Sequence, residues 1–223
     1  HRRWQDRSHR HLARWPHRVR GQNLRCALSP DLETYVVGRT SGGCELRATK
    51  DNSLLRFFPE APKGRTKTAR RLDMVVFSRD GQKFAVQYHD QHLDVWDRNL
   101  NKPLLSLSPD DQATGVFDFA PDGKLVVYHT LTEGLCAHSL ADGNRRTLLP
   151  PATDVQFVRF DPAGERLVLV QTNALQVWNF GEAKAIWTVP AETYVDWAAW
   201  RPDGRLVAAA EQRTADAAAT SAA

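Results

Sequence analysis

One short motif returns five times along this chain, and it constrains the fold more than any other feature. It reads Ser29-Pro30-Asp31, Ser78-Arg79-Asp80-Gly81, Ala120-Pro121-Asp122-Gly123, Asp161-Pro162-Ala163-Gly164 and Arg201-Pro202-Asp203-Gly204. Steps from Pro30 to Arg79, Pro121, Pro162 and Pro202 are 49, 42, 41 and 40 residues. The motif is a turn for a physical reason. Pro presets φ at about −65°, Asp accepts the bridge conformation that follows, and Gly takes the positive φ that closes a tight hairpin.

Short strands surround each turn. In the second repeat, Met74–Ser78 is an apolar strand and Lys83–Tyr88 alternates as a half-buried strand does. His92–Asp97 and Leu104–Leu107 follow, and Pro109 ends the unit. The third repeat places strands at Phe117–Phe119, Lys124–Tyr128, Gly134–His138 and Thr147–Leu149, the fourth at Phe157–Phe160, Arg166–Val170, Leu175–Asn179 and Ala185–Val189. From hairpin to closing Pro the distances are 29, 30, 29 and 28 residues, with Pro59, Pro109, Pro150 and Pro190 as the stops. A 40-residue period of four short strands predicts an all-β β-propeller of four-stranded antiparallel blades. Four full blades fall at about 24–59, 74–109, 115–150 and 155–190, with a split or partial fifth at 195–211.

Both ends extend the pattern. Trp4 to Pro16 spans 12 residues, as Trp178 to Pro190 does, so the basic segment 1–23 reads as carrying the last strands of a blade. Val195–Trp200 and Arg205–Ala209 supply the first strands of one. Trp197 and Trp200, three apart, are expected to face opposite sides of a regular strand. Residues 212–223 are Ala-rich and read as a disordered tail. The two ends therefore either join into one fifth blade or mark a slice of a larger ring.

The pattern resembles the WD-repeat β-propeller family. The Pro-Asp-Gly hairpins carry the likeness, with Val95-Trp96-Asp97 and its weaker echo Val177-Trp178-Asn179. Asp90, six residues before Trp96, matches the turn Asp of such repeats, whereas Thr132 and Thr172 stand there in the next two and no Gly-His pair occurs. The repeats are degenerate, so their blades are expected to lean on packing. The structural repeat positions are Pro30, Gly81, Asp90, Trp96, Asp97, Pro121, Gly123, Pro162, Trp178, Pro202 and Gly204. The resemblance implies a non-catalytic scaffold for protein–protein interaction, set in a bacterial signalling protein, and it favours the slice because WD-type rings mostly have seven blades. A Tol-like or hydrolase-associated propeller is the alternative, since Ala141–Leu149 resembles its repeats too.

Charge narrows the partner. Net charge is +4, but residues 1–25 hold eight Arg and one Asp, leaving the rest of the chain at −3. A basic end on an acidic body is thin support for nucleic-acid binding, which stands as a further alternative through the N-terminus and loop 60–71. Cys26, Cys44 and Cys136 lack CxxC spacing and read as buried thiols in a reducing compartment, hence a cytoplasmic expectation. No apolar run is long enough to span a membrane.

Candidate binding residues cluster in one insertion. Glu60–Arg71 carries Lys63, Arg65, Lys67, Arg70 and Arg71, which suits an acidic peptide or a phosphate; the plainer reading is a solvated loop. His92 is added as an exposed partner-binding residue. His89-Asp90-Gln91-His92 offers too few ligands for a metal, so no metal and no cofactor are expected. Gly-x-Ser-x-Gly, phosphate-loop and His-Glu-x-x-His motifs are absent, so no enzymatic role is expected.

Overall fold

A computed structural model describes residues 26–39, 42–59, 71–151, 153–172, 174–189 and 193–212, without the side chains of 193–197 and 208–212. Eighteen strands lie among these residues. The first sheet holds β1 (Cys26–Leu28), β2 (Thr34–Gly38), β3 (Cys44–Ala48) and β4 (Leu54–Phe58); the second holds β5 (Leu72–Phe77), β6 (Lys83–Tyr88), β7 (Leu93–Asp97) and β8 (Leu105–Leu107). β9 (Ala113–Phe119), β10 (Leu125–Thr130), β11 (Gly134–Ser139) and β12 (Arg145–Leu149) form the third. The fourth comprises β13 (Phe157–Phe160), β14 (Arg166–Gln171), β15 (Ala174–Asn179) and β16 (Lys184–Val189), and β17 (Thr193–Trp200) pairs with β18 (Leu206–Gln212) in a two-stranded fifth. Every pairing is antiparallel between sequence neighbours.

The repeated turn sets this register. Ser29 Oγ accepts the Thr34 N–H (3.0 Å) and donates to Asp31 Oδ1 (2.5 Å). Ser78 Oγ repeats both bonds with Lys83 and Asp80, at 2.9 and 2.6 Å. In the fourth repeat Asp161 Oδ1 does the work of that hydroxyl, accepting the Arg166 N–H at 3.0 Å. The turns also nest between blades. A Cβ on Gly81 would lie 3.4 Å from Pro30, and one on Gly164 would lie 3.2 Å from Pro121. Period and turn chemistry thus place successive hairpins in contact.

First strands contact one another, β1 with β5, β5 with β9 and β9 with β13, which puts them innermost. The outer strands are mostly exposed. Between blades run apolar seams. Val36, Leu46 and Phe58 meet Phe84, Val86 and Trp96; Val95 and Leu107 meet Phe117, Tyr128 and Cys136. Val127 and Leu135 meet Val158, Leu167 and Leu169, and Val168 and Val170 meet Ala198. Each buried aliphatic side chain contributes about 1.5–3 kcal/mol relative to exposure, so these seams hold the blades together.

Three expectations need correction. His92 is buried, 4% exposed, because its ring is drawn onto the buried carboxylate of Asp94. Cys26 is exposed, since β1 has no blade over its outward side among the described residues; Cys44 and Cys136 are buried. The last strand reaches Gln212, one residue into the segment read as a tail. Residues 1–25, most of the basic loop (60–70) and 213–223 lie outside the described residues, as does the Trp197 side chain.

Gly134 and Gly115 share a φ of +84° but differ in surroundings. A Cβ on Gly134 would sit 2.1 Å from the Leu149 carbonyl oxygen, whereas Gly115 has nothing within 4 Å. Gly115→Ala should cost about 1–2 kcal/mol for the left-handed backbone alone. Gly134→Ala should cost more, about 2–3 kcal/mol, because β12 must move as well. Urea unfolding of the two variants checks the order.

Candidate functional site

The blade design splits the loops between two faces. Hairpins between first and second strands bond to the turns between third and fourth strands: Thr49 N–H to Glu33 O (2.9 Å), Arg98 N–H to Gln82 O (2.9 Å), Leu140 N–H to Lys124 O (2.8 Å) and Phe180 N–H to Glu165 O (2.8 Å). That face is repetitive and turn-rich.

The opposite face carries the variable connections. Turns between second and third strands bond there to the connections between blades. In blade 2 the His89 N–H donates to Arg71 O (2.8 Å), and the His89 ring lies 3.2 Å from Asp73 Oδ2 and 3.5 Å from the Arg71 guanidinium. In blade 3 the Leu131 N–H donates to Gln112 O (3.2 Å) and the Thr132 hydroxyl to Asp111 O (3.0 Å). In blade 4 Asp154 Oδ2 accepts both the N–H (3.0 Å) and the hydroxyl of Thr172. The Thr172 hydroxyl bond is the main reason the Asp154 carboxyl titrates below its usual range. Thr132 and Thr172, which replace the expected turn Asp, therefore act as loop ties.

Between these ties, side chains project. Arg71 is exposed, and Leu131 is 54% exposed at a turn tip. Asp110 is exposed and Asp111 half-buried on the short helical turn Pro109–Asp111. Of the basic candidates, only Arg71 falls in the described residues; Lys63, Arg65, Lys67 and Arg70 lie outside them. Asp90 accepts the His92 N–H at 3.3 Å and so shapes the blade 2 turn.

A serine, a histidine and an aspartate meet in blade 2. His92 Nε2 is 2.9 Å from Asp94 Oδ1 and 3.3 Å from Ser106 Oγ, and Ser106 Oγ donates to Asp94 Oδ1 at 2.7 Å. A catalytic triad needs the carboxylate on one ring nitrogen and the hydroxyl on the other. Here both converge on Nε2, and Asp94 is fully buried. The cluster is a polar staple joining β7 to β8, so blade 2 does not rest on apolar packing alone. It stands on Trp96's side of β7, within the seam to blade 1.

Asp118 is a second charged group that strand reading passes over. Its Oδ2 accepts the Phe160 N–H from the next blade (2.9 Å) and lies 3.8 Å from Arg159 Nε. Burial pushes its carboxyl up to about 6, against the pull of Arg159 and of backbone N–H groups. The one available signal was a lone acid inside the apolar run Val116–Ala120. Arg79, in the place of the motif Pro, donates to the Pro162 carbonyl of blade 4 at 3.2 Å and so spans two blades.

Burial is the main cause that raises the Cys44 thiol, leaving it a packed and unreactive group. Among the described residues no group of three His, Cys, Asp or Glu could hold a metal, and no helix is long and apolar enough to cross a membrane.

Comparison with family models and with curated proteins finds no match. Among solved structures, 1398 chains match, so the architecture is too common to name a partner. The β-propeller domain of Cps50 (Swd1) from Myceliophteria thermophila superposes with a TM-score of 0.66 at 12% identity. The match covers 85% of this chain and 64% of that one, so the chain spans just under two thirds of that domain's length. Repeated turns, innermost first strands, apolar seams and this superposition agree on one architecture, and the chain folds as a β-propeller.

Proposed function

We infer that the chain is a WD-repeat-like scaffold without catalytic activity, which docks a protein or peptide on the face built from inter-blade connections and second-to-third-strand turns. One observation carries the reading: in blades 2, 3 and 4 each such turn is bonded to its neighbouring connection, so the loops are held ready while Arg71 and Leu131 stay exposed. Pre-ordered loops lose little entropy on binding, and an exposed apolar residue between charges is the composition of a docking spot. Val-Trp-Asp at 95–97 supports the WD-repeat type over a Tol-like one. A bacterial signalling protein in the cytoplasm is the setting this reading proposes.

The test uses peptides selected from a displayed random library on the intact chain. Leu131→Asp and Arg71→Glu should each weaken the selected peptides about 10-fold, or about 1.4 kcal/mol. Leu32→Asp, at an exposed leucine on the opposite face, should leave them unchanged. Loss with Leu32→Asp alone would refute the assignment. If instead an oligo-dT 20-mer binds tightly and weakens steeply with salt, the nucleic-acid alternative replaces it.

A further inference from the structure

Charge is spread unevenly over the face of inter-blade connections. At blade 2, Arg71 and His89 project, and Asp73 lies 3.2 Å from the His89 ring. Over blades 3 and 4 the sign reverses. The described loop residues there, 108–112, 131–133, 150–151, 153–156 and 171–172, include Asp110, Asp111, Glu133 and Asp154 but no Lys or Arg. Three of these acids have partners within the protein. Asp111 accepts the Ser108 N–H at 2.7 Å and the Ser108 hydroxyl at 2.9 Å, Glu133 pairs with Arg145 at 2.5 Å, and Asp154 holds Thr172. Asp110 is exposed on its helical turn and makes no hydrogen bond or ion pair among the described residues.

Apolar surface adjoins this free carboxylate. Leu131, 54% exposed, heads the turn between β10 and β11. That turn is bonded to the connection carrying Asp110, through Gln112 O at 3.2 Å and Asp111 O at 3.0 Å. On the other flank Pro150 and Pro151 are exposed. The chain passes close to the turn there, since a Cβ on Gly134 would lie 2.5 Å from the Pro150 carbonyl carbon. Leu131 thus stands between an unpaired anion and two prolines, on loops with little freedom left to lose.

This combination selects its occupant. A purely apolar segment laid on Leu131 would strip water from Asp110 and return no partner, and an acidic one would meet like charge. An arginine or lysine satisfies both requirements, with its methylene stem on the apolar surface and its cation on the carboxylate. Toward Arg71 the same segment meets the opposite sign.

We propose that the docked partner is a peptide segment of mixed charge. An arginine or lysine beside a bulky apolar residue lies over Leu131 and Asp110, and an acidic residue points toward Arg71. This names the partner chemistry of the docking face and rests on that assignment.

The probe is a displayed library of random peptides about 12 residues long, selected on the intact chain. Enriched sequences should carry Arg or Lys next to Leu, Ile, Met or Phe. Asp110→Lys should weaken them about 10-fold. Exchanging the peptide's cation for Glu should restore binding to that variant while weakening binding to the unmodified protein, a reciprocal effect that needs direct pairing. An unchanged melting curve shows that Asp110→Lys is folded. Enriched peptides that lose affinity with Leu131→Asp, yet lack a cation or bind Asp110→Lys equally well, overturn this partner chemistry and leave the docking face standing. Peptides indifferent to both Leu131→Asp and Arg71→Glu, or no enrichment at all, overturn the docking face and this inference with it.

Discussion

Trp96→Ala is expected to cost about 3–5 kcal/mol, the range for removing a fully packed aromatic side chain. Trp96 is 2% exposed, meets the Phe58 ring at 5.2 Å, and lies in the cluster that joins blades 1 and 2. The lost volume opens a cavity between two rigid sheets, which relax poorly. Trp178 is its register equivalent in blade 4, but it is half-buried and its indole N–H is spent on Gln176 Oε1 at 2.8 Å. Trp178→Ala should therefore cost about half as much, with less area returned to water. Urea unfolding followed by circular dichroism checks both. Equal losses would mean that the two seams are alike and that local burial has been misjudged.

Asp118→Asn is expected to stabilise the protein at neutral pH, by up to about 3 kcal/mol. Burial raises the folded carboxyl to about 6, above its value of about 3.9 in an unfolded chain. Below both values the group is protonated in either state, and its contribution is fully present. As pH rises through about 4 the unfolded chain ionises first, and by about 6 the contribution is gone. Asn can still accept the Phe160 N–H that Asp118 accepts at 2.9 Å, without the burial of a charge. For a chain of this size the gain corresponds to a rise of roughly 6–12 °C in Tm at pH 7.5, shrinking toward zero at pH 4. Carboxylates such as Asp154, held low chiefly by Thr172, act in the opposite sense, so the difference between the two proteins is the quantity to follow. A lower Tm for Asp118→Asn at pH 7.5 would show that the contact with Arg159, 3.8 Å away, outweighs desolvation.

Local chemistry made much of the architecture readable. Pro-Asp-Gly turns fixed where hairpins fall, and Ser29, Ser78 and Asp161 hold them by the same bond into the second strand. The strand segments Lys83–Tyr88 and Lys124–Tyr128 then placed β6 and β10, although both prove buried on both faces rather than on alternate residues. Side-chain environments were less legible because they depend on neighbours far along the chain. His92 reads as a polar turn residue, yet Asp94 and Ser106 draw it into the seam. Nothing near Asp118 in sequence indicates that its partner is the Phe160 N–H, 42 residues on. Arg79 looks like a departure from the motif and turns out to reach Pro162. The threonines standing in for the turn Asp gave no hint that they tie loops together. Docking chemistry was least legible of all, since a basic loop is visible as charge but its geometry comes from the blades around it.

One measurement bears most directly on the docking face: hydrogen exchange of the intact chain with and without a selected peptide. The account predicts new protection at 89–92, 110–114, 130–133 and 153–156, the turns and connections of blades 2, 3 and 4. Protection confined to the hairpins at 29–33, 78–83 and 120–124 would contradict it.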